Sequence, residues 1–239
     1  MSTCKFCRRG GLFVRTDENG LCTNCAPKVI KKVEALFASY PRLLDIAKRP
    51  TLGLSKRLRY LTKAIEIMEE LHRTYETRDI RTTTPSPSTV LEELAVLKQQ
   101  IIAESLSPYP DGIRYLILLG MDDLDAYTLH RQYKNDIYQH NNAGQTAEKQ
   151  GRIEDAIQHY QKAIALCPDT PFPYDRLRII YTRQHEYKKA IAICKQYIAD
   201  SKRIASAIRK ELGDKEQAQS YLSDIEVWQQ RIEKLKAKM

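Results

Sequence analysis

Apolar residues recur at alternating steps of four and three along the segment that begins at Leu54, which is the spacing of one face of a helix. Seven positions form this stripe: Leu54, Leu58, Leu61, Ile65, Met68, His72 and Tyr75. We interpret His72 as a buried or rim histidine rather than a metal ligand, because it interrupts an otherwise apolar stripe. A second stripe consists of Val90, Leu94, Leu97 and Ile101. The two stripes predict two long helices.

The segment TTTPSPS at residues 82–88 interrupts the helical pattern between the two stripes. Directly after it, TVLE at residues 89–92 has the form of a capping box, in which Thr89 and Glu92 would satisfy free backbone N–H groups at a helix start. Two successive helices joined by a short loop usually lie antiparallel. We therefore expect a helical hairpin whose apolar stripes pack on each other.

The first 50 residues follow a different pattern. Leu12–Arg15 reads as a short strand, a polar turn ends at Asn19-Gly20, and the chain returns through Leu21. Pro27 is compatible with the first turn of a helix. Apolar residues then follow at helical spacing: Val29, Ile30, Val33, Leu36 and Phe37. This region is expected to form a small hairpin followed by a helix.

Two cysteine pairs of the form C-x-x-C flank the predicted hairpin. CKFC contains Cys4 and Cys7, and CTNC contains Cys22 and Cys25. The chain does not start with a basic segment followed by an apolar one, so we expect a cytoplasmic protein, in which disulfides do not persist. A thioredoxin-like dithiol would need a single pair between strand and helix. Two pairs at this spacing therefore favour a metal site.

Four thiolates can occupy the corners of a tetrahedron around zinc and leave no position open for a substrate. Two ligands beside a hairpin and two at a helix start resemble a treble-clef finger, with a plain zinc ribbon as the second choice. We predict one structural Zn²⁺ per chain on Cys4, Cys7, Cys22 and Cys25. Rubredoxin-type iron stays open as an alternative, although Arg8 and Arg9 follow Cys7 where those turns usually carry Gly or Pro.

A repeat with an offset of 34 residues appears in the last third of the chain. GRIEDAIQHYQKAIALCP at residues 151–168 aligns with HEYKKAIAICKQYIADSK at residues 185–202. The period and the small, aromatic, small and proline positions resemble the tetratricopeptide repeat over residues 137 to about 202. The positions that carry the resemblance are Ala156, Tyr160, Ala163 and Pro168, with Gly144, Leu177 and Tyr181 in the first helices.

The repeat pattern is not perfect. It departs from the family at Ala147, Tyr197 and Lys202, and GDKEQA at residues 213–218 echoes GRIEDA after a shorter interval. We expect a shortened, capping-type last repeat.

The resemblance implies a concave face lined by the first helix of each pair. It would place six candidate partner-binding residues there: Tyr138, Asn141, Gln145, Asp175, Ile179 and Arg183. The family's clamp for a carboxylate has Lys followed by Asn at positions that here hold Asn141 and Gln145, so that clamp is not expected. A protein or peptide partner is one interpretation, and an ordinary solvated surface is the other.

Charge is concentrated at the start of the chain. The 239 residues carry a formal net charge of +9, and residues 1–81 hold 17 Lys and Arg against 9 Asp and Glu. Such a surface could contact nucleic-acid phosphates, although solvated helix faces explain basic residues equally well. The candidate residues are Lys5, Arg8, Arg9, Lys31, Lys32, Lys56, Arg57, Arg59 and Lys63.

An enzyme and a membrane protein have the least support. The five histidines are scattered, and the chain has neither a Gly-rich phosphate loop nor a nucleophile motif. The acidic run DDLD at residues 122–125 is interpreted as a helix start. The longest apolar run, Ile113–Met121, is shorter than the roughly 20 residues that span a bilayer.

The last predicted helix runs from about Asp214 to Met239. Ala218, Ile225, Ile232 and Met239 recur every seven residues, and Tyr221, Trp228 and Leu235 form a second register three residues on. This is the spacing of a coiled-coil seam. The helix either folds back along earlier helices or forms a homodimer with a second copy of the chain.

Together these patterns predict a mainly α protein with three parts: a small zinc finger with its helix at residues 1–50, a helical hairpin at 51–120, and tetratricopeptide-like repeats with a capping helix at 121–239. The first hundred residues also resemble uncharacterised zinc-finger proteins of Gram-positive bacteria and their phages. We expect a non-catalytic adaptor that binds a protein partner. The alternative is a regulator that binds nucleic acid through its basic start.

Overall fold

The computed structural model describes residues 2–11, 14–81, 85–121 and 124–239, with the side chains of 124–130 and 132–133 left aside. It confirms a mainly α fold with a two-stranded sheet at the start and helical repeats at the end. The chain separates into two compact units, Met1–Ser105 and Leu106–Met239, called unit 1 and unit 2 below. In the described residues, no helix is both long enough and apolar enough to cross a membrane.

Unit 1 begins with two short antiparallel strands, β1 (Ser2–Thr3) and β2 (Gly10–Gly11). The loop between them is the first cysteine turn, in which Cys4 N–H donates to the Arg9 carbonyl at 2.9 Å. The strand predicted at Leu12–Arg15 is therefore misplaced: its first two residues lie outside the described residues, and Val14 and Arg15 are not in a strand. The cysteine turn itself closes the hairpin, so the paired residues flank it.

Four helices complete unit 1: α1 (Ala26–Phe37), α2 (Tyr40–Ala47), α3 (Leu54–Thr74) and α4 (Pro87–Leu106). A single 3₁₀ turn, Glu76–Arg78, follows α3. Pro27 lies in the first turn of α1, as predicted, and α2 packs against α3. Of the apolar residues predicted for α1, Val29 is buried whereas Ile30 is exposed.

The face that α3 buries differs in part from the predicted stripe. Leu54, Leu61, Met68 and Tyr75 are buried as expected. The positions between them are only half-buried at Leu58, Ile65 and His72, and the buried ones are Arg57, Ala64 and Leu71. The helix is therefore turned by one position, and a charged residue occupies a core position.

Hydrogen bonds at both ends show that α3 and α4 run antiparallel, as predicted. Near the start of α3, Arg57 donates to Ser105 Oγ at 3.0 Å, and beyond its end Glu76 accepts from Ser88 N at 2.9 Å. The helix start predicted at Thr89 was wrong, because α4 begins at Pro87. Proline suits the first turn of a helix, and Ser86 Oγ accepts from Thr89 N at 3.4 Å.

Unit 2 contains seven helices within the described residues: α5 (Asp111–Leu119), α6 (Leu124–Lys149), α7 (Ile153–Leu166), α8 (Pro171–Arg183), α9 (Tyr187–Glu211), α10 (Lys215–Ser220) and α11 (Ile225–Lys236). The helix start expected at DDLD agrees with α6, although Asp122 and Asp123 lie outside the described residues. The pairs α6–α7 and α8–α9 each form a helix–turn–helix.

The turns of the two pairs repeat each other at the predicted offset. Arg152 N–H donates to the Ala147 carbonyl at 2.9 Å, and 34 positions later Glu186 N–H donates to Tyr181 at 2.8 Å. Gly151 and His185 occupy equivalent places with φ of 73° and 60°. Inside the first pair, a Cβ on Gly144 would lie 2.7 Å from the Tyr160 ring, so this position needs a glycine. The 34-residue period is thus a structural repeat.

The predicted single helix from Asp214 to Met239 was wrong, because a turn at residues 221–224 divides it into α10 and α11. Most of its seam is covered within the chain: Trp228, Ile232 and Leu235 on α11 are buried in one cluster with the repeat core, whereas the predicted last seam position, Met239, is exposed. The Trp228 ring stacks on Tyr197 with a centroid distance of 4.4 Å. Of the two outcomes expected, α11 therefore folds back on α9, and this seam is not exposed for a homodimer.

Candidate metal centre and repeat groove

Four cysteine sulfurs converge near the start of unit 1. The Sγ atoms of Cys4, Cys7, Cys22 and Cys25 all lie within 4.8 Å of one another, and those of Cys7 and Cys22 are 3.9 Å apart. Four thiolates at about 2.3 Å from one zinc would have sulfur–sulfur separations of about 3.8 Å. The predicted ligands thus come together at the spacing of a tetrahedral metal site.

Local hydrogen bonds hold this arrangement. Cys22 N–H donates to Cys4 Sγ at 3.3 Å, which links the two cysteine pairs. The turn between them is closed by Asp17, whose carboxylate accepts from Asn19 N at 3.0 Å and from Leu21 N at 2.8 Å. Cys25 is the N-cap residue of α1.

The electrostatics favour a cation at the centre. Burial disfavours the Cys4 thiolate, but backbone N–H donors from Cys7, Cys22 and Phe6 stabilise it and lower the pKa of Cys4 to about 6. The pKa of Cys25 is raised to about 12, first by its hydrogen bond with the Cys22 side chain and then by burial. Four thiolates repel one another, so the fully ionised set requires a cation between them. The donor set therefore fits a thiophilic metal with four protein ligands.

The first cysteine turn is anchored to the end of α3 by contacts that the sequence did not reveal. Lys5 Nζ lies 2.5 Å from Asp79 Oδ2 and also donates to the Asp79 carbonyl at 2.7 Å. Phe6 stacks on Tyr75, and the Arg78 guanidinium lies 5.4 Å from the centre of the Phe6 ring. The finger is thus part of unit 1, held by side chains more than about 65 positions away along the chain.

The residues of the predicted basic surface differ in how exposed they are and in whether they are paired with acidic groups. Arg57 does not belong to it, because its side chain is 3% exposed and donates to the Ala47 carbonyl, Ser105 and Glu104. Lys32 is ion-paired with Glu70 at 3.0 Å. The other predicted residues, Arg8, Arg9, Lys31, Lys56, Arg59 and Lys63, are exposed.

A second candidate site lies between α6 and α8, the first helices of the two repeat pairs. It is a groove of about 430 Å³ whose walls are Gln145, Glu148, Lys149, Phe172, Arg176 and Arg183. Of the six predicted groove residues, Gln145 and Arg183 line it. Tyr138 is exposed outside it, whereas Asn141 and Ile179 are half-buried.

Asp175, another of the six predicted residues, does not line this groove. Its carboxylate lies 2.8 Å from Arg178 and 3.0 Å from Arg231 of α11, so it ties the capping helix to the repeat.

Glu148 organises the groove, although the sequence pattern did not single it out. Its carboxylate accepts two hydrogen bonds from Arg176, at 3.0 and 2.5 Å, and one from the Tyr160 hydroxyl at 2.9 Å. Arg183 lies 3.7 Å away and is largely exposed. Hydrogen bonding to Glu148 raises the pKa of Arg176, and burial together with Glu148 raises that of Tyr160 to about 12. With Lys149, the groove has three basic side chains to one acidic one.

Comparison with protein families gives a match to a repeat family. The Tetratricopeptide repeat model matches residues 137–170, which cover the end of α6 and all of α7. The matched segment and the geometric copy at α8–α9 show that the chain contains tetratricopeptide repeats. The chain has no match among curated proteins.

Proposed function

We propose that this protein is a non-catalytic adaptor in which a zinc-stabilised finger supports unit 1 and the repeat groove of unit 2 binds a peptide of a partner protein. Tetratricopeptide repeats serve in protein–protein interaction, and the present groove combines an exposed aromatic ring with basic side chains. The groove is the observation that carries the proposal. We also propose that the protein is cytoplasmic. Its predicted three-part organisation (residues 1–50, 51–120 and 121–239) is likewise kept as a proposal.

Zinc is the metal that we propose for the four cysteines, with one ion per chain and a structural role. All four positions of a tetrahedral site are taken by thiolates, which leaves none for water or substrate. Elemental analysis of the purified protein should therefore give one zinc per chain. A chain that carries iron instead would contradict the assignment.

The groove suggests the chemistry of its ligand. Phe172, in the first turn of α8, is 37% exposed, and Arg183, at the end of the same helix, has a side chain that is 70% exposed. Arg176 donates two hydrogen bonds to Glu148, whereas Arg183 lies 3.7 Å from that carboxylate and is 70% exposed, so Arg183 and Lys149 are the more accessible basic groups of the groove. We propose a peptide that places an acidic group at these two cations and an apolar side chain on Phe172.

Selection from a displayed random peptide library tests this proposal even though the partner protein is not identified. The full chain should enrich acidic-apolar sequences, and Phe172→Ala with Arg183→Glu should remove that enrichment. Tyr138→Ala with Lys195→Glu removes an aromatic and reverses one charge outside the groove, so it should leave the enrichment unchanged. Equal loss in both double variants would contradict a role for the groove.

Nucleic-acid binding is the second candidate function. The observation that favours it is the set of exposed basic residues in unit 1, which holds most of the excess positive charge. Affinity for a labelled oligonucleotide should fall steeply with salt, and Lys56→Glu with Arg59→Glu should weaken it strongly. A pull-down with and without nuclease treatment separates this function from the adaptor.

A further inference from the structure

The basic side chains of unit 1 differ in their partners. Among its described residues, five Lys and Arg side chains pair with carboxylates of the same unit: Lys5 with Asp79, Lys32 and Arg73 with Glu70, Arg49 with Asp45, and Arg57 with Glu104. Within the part of the chain that the structure describes, Arg9, Arg15 and Lys28 have no acidic partner, and all three are exposed. Their charges are therefore available to a ligand.

These three side chains line one cavity of about 620 Å³ beside the cysteine cluster. They come from separate segments: Arg9 follows the first cysteine pair, Arg15 precedes the bridge between Thr16 and Cys22, and Lys28 lies in the first turn of α1. The fold of the finger brings them together. Neither Arg15 nor Lys28 stood among the basic residues singled out from the sequence.

The rest of the cavity wall suits an anion. Thr23 and Asn24 add a hydroxyl and an amide, and Cys7, Cys22 and Cys25 form the side next to the metal centre. Among the described residues that line it there is no acidic and no aromatic side chain. A ligand would therefore meet positive charge and hydrogen-bond donors but no ring on which a base could stack.

The charge of the metal centre does not cancel that of the cavity. Four thiolates around one divalent cation leave a charge of −2, whereas Arg9, Arg15 and Lys28 carry +3. The positive charge of the three basic residues is thus larger than the negative charge of the metal-loaded cysteine cluster.

We propose that this cavity binds consecutive backbone phosphates of a nucleic acid through Arg9, Arg15 and Lys28. The proposal rests on the second candidate function and adds to it a defined site. Guanidinium groups form paired hydrogen bonds with phosphate, and the lysine ammonium adds a point charge. Because these contacts are made to phosphates and not to base edges, binding should be independent of base sequence.

The test uses the full, zinc-loaded chain and a short fluorescein-labelled oligothymidylate, with affinity measured by anisotropy over a range of salt concentrations. Three phosphate contacts to a single strand predict a slope of about −2 in a plot of log affinity against log salt. Arg9→Ala with Arg15→Ala and Lys28→Ala should weaken binding at low salt at least about tenfold and flatten the slope. Oligoadenylate of the same length should bind equally well.

A second triple variant controls for net charge. Lys195→Ala with Lys202→Ala and Lys234→Ala removes the same charge from exposed positions of unit 2 and should keep the affinity within about twofold. Equal weakening in both variants would overturn the proposal, and so would equally tight binding of polyglutamate of similar charge.

Folding and the broader function are tested separately. The cavity variant must retain one zinc per chain. If it does not, the single exposed change Lys28→Gln should still weaken binding, and Lys28→Arg should restore it. Binding that survives in the cavity variant but is lost in Lys56→Glu with Arg59→Glu would overturn the cavity site, because the phosphate contact then lies elsewhere while the nucleic-acid function stays intact. If the unchanged protein does not bind the oligonucleotide at low salt, both the cavity site and the nucleic-acid-binding function are contradicted.

Discussion

The finger at the start of unit 1 and the repeats of unit 2 are each stabilised by a different kind of interaction. At the start of unit 1, four sulfurs and a few polar anchors such as Lys5–Asp79 organise a segment that has almost no apolar core. Unit 2 has a continuous core in which Tyr160, Tyr174 and Trp228 are almost completely buried. A short segment can thus be ordered by a metal centre, whereas stacked helices need a long shared apolar face. The comparison predicts that damage to one unit leaves the other folded.

The largest effect is expected from Cys22→Ser. In zinc-finger peptides the metal contributes an apparent free energy of roughly 10–16 kcal/mol, so loss of one ligand should remove the metal and unfold the finger. Zinc content should fall from one per chain to nearly none, while the helical signal of unit 2 persists in circular dichroism. Cys194→Ala removes a thiol from unit 2 and should leave the zinc content unchanged. Loss of all helical signal in Cys22→Ser would show that the two units fold as one.

Trp228→Ala is the converse change. It removes the largest fully buried side chain from the contact between α11 and the repeats, at an expected cost of about 3–5 kcal/mol. Urea denaturation should show the loss in unit 2, with zinc content unaffected. The neighbouring Val227 is half-exposed, and Val227→Ala should change stability by less than about 0.5 kcal/mol.

The α11 seam also bears on the oligomeric state. Since it is buried within the chain, light scattering should show a monomer, and truncation after Ser223 should destabilise unit 2 rather than dissociate a dimer. A full-length dimer that becomes a stable monomer on truncation would contradict the assignment of the seam to the repeat core.

Arg57→Ala tests the non-metal part of unit 1. The change leaves the Ala47 carbonyl and Ser105 without their donor, which should cost about 1–3 kcal/mol. Zinc content should not change, because Arg57 lies on α3 and its hydrogen bonds go to α2 and α4. Arg59→Ala, at an exposed position two residues away, serves as the control. A neutral Arg57→Ala would mean that this buried guanidinium contributes nothing to α2–α3–α4 packing.

The smallest effect concerns pH and unit 2. Partial burial, then His159 and Lys162, lower the pKa of His140 below its usual value of about 6.5, with Asp136 acting in the opposite sense. The unfolded chain therefore takes up the proton first, so the stability of unit 2 should decline as the pH falls through 6.5. Urea midpoints at neutral and mildly acidic pH should show a smaller decline for His140→Gln than for the unchanged protein. His185→Gln, on an exposed turn, should retain the full decline.

Several features could be read from the sequence because they depend on local spacing. Two C-x-x-C pairs bring four sulfurs together through two tight turns, so the convergence of Cys4 and Cys25 follows from the first 25 residues alone. The 34-residue period is equally local, since each helix pair repeats the same turn and the same contacts with its neighbour. The departure from the repeat pattern at Lys202 also has a structural consequence. Pro168 follows the end of α7, whereas Lys202 at the equivalent position allows α9 to continue to Glu211.

The tertiary structure decided which of several compatible faces is used. Leu54, Leu61 and Met68 belong to one helical face whether the residues between them are Leu58 and Ile65 or Arg57 and Ala64. Only the helices packed against α3 decide that Arg57 is buried and Leu58 is not. The seam of α11 is likewise apolar whether it meets a second chain or its own repeats. Glu148, Arg15 and Lys28 carry no signal in the sequence, because a groove or a cavity forms from residues that are distant along the chain and adjacent only after folding.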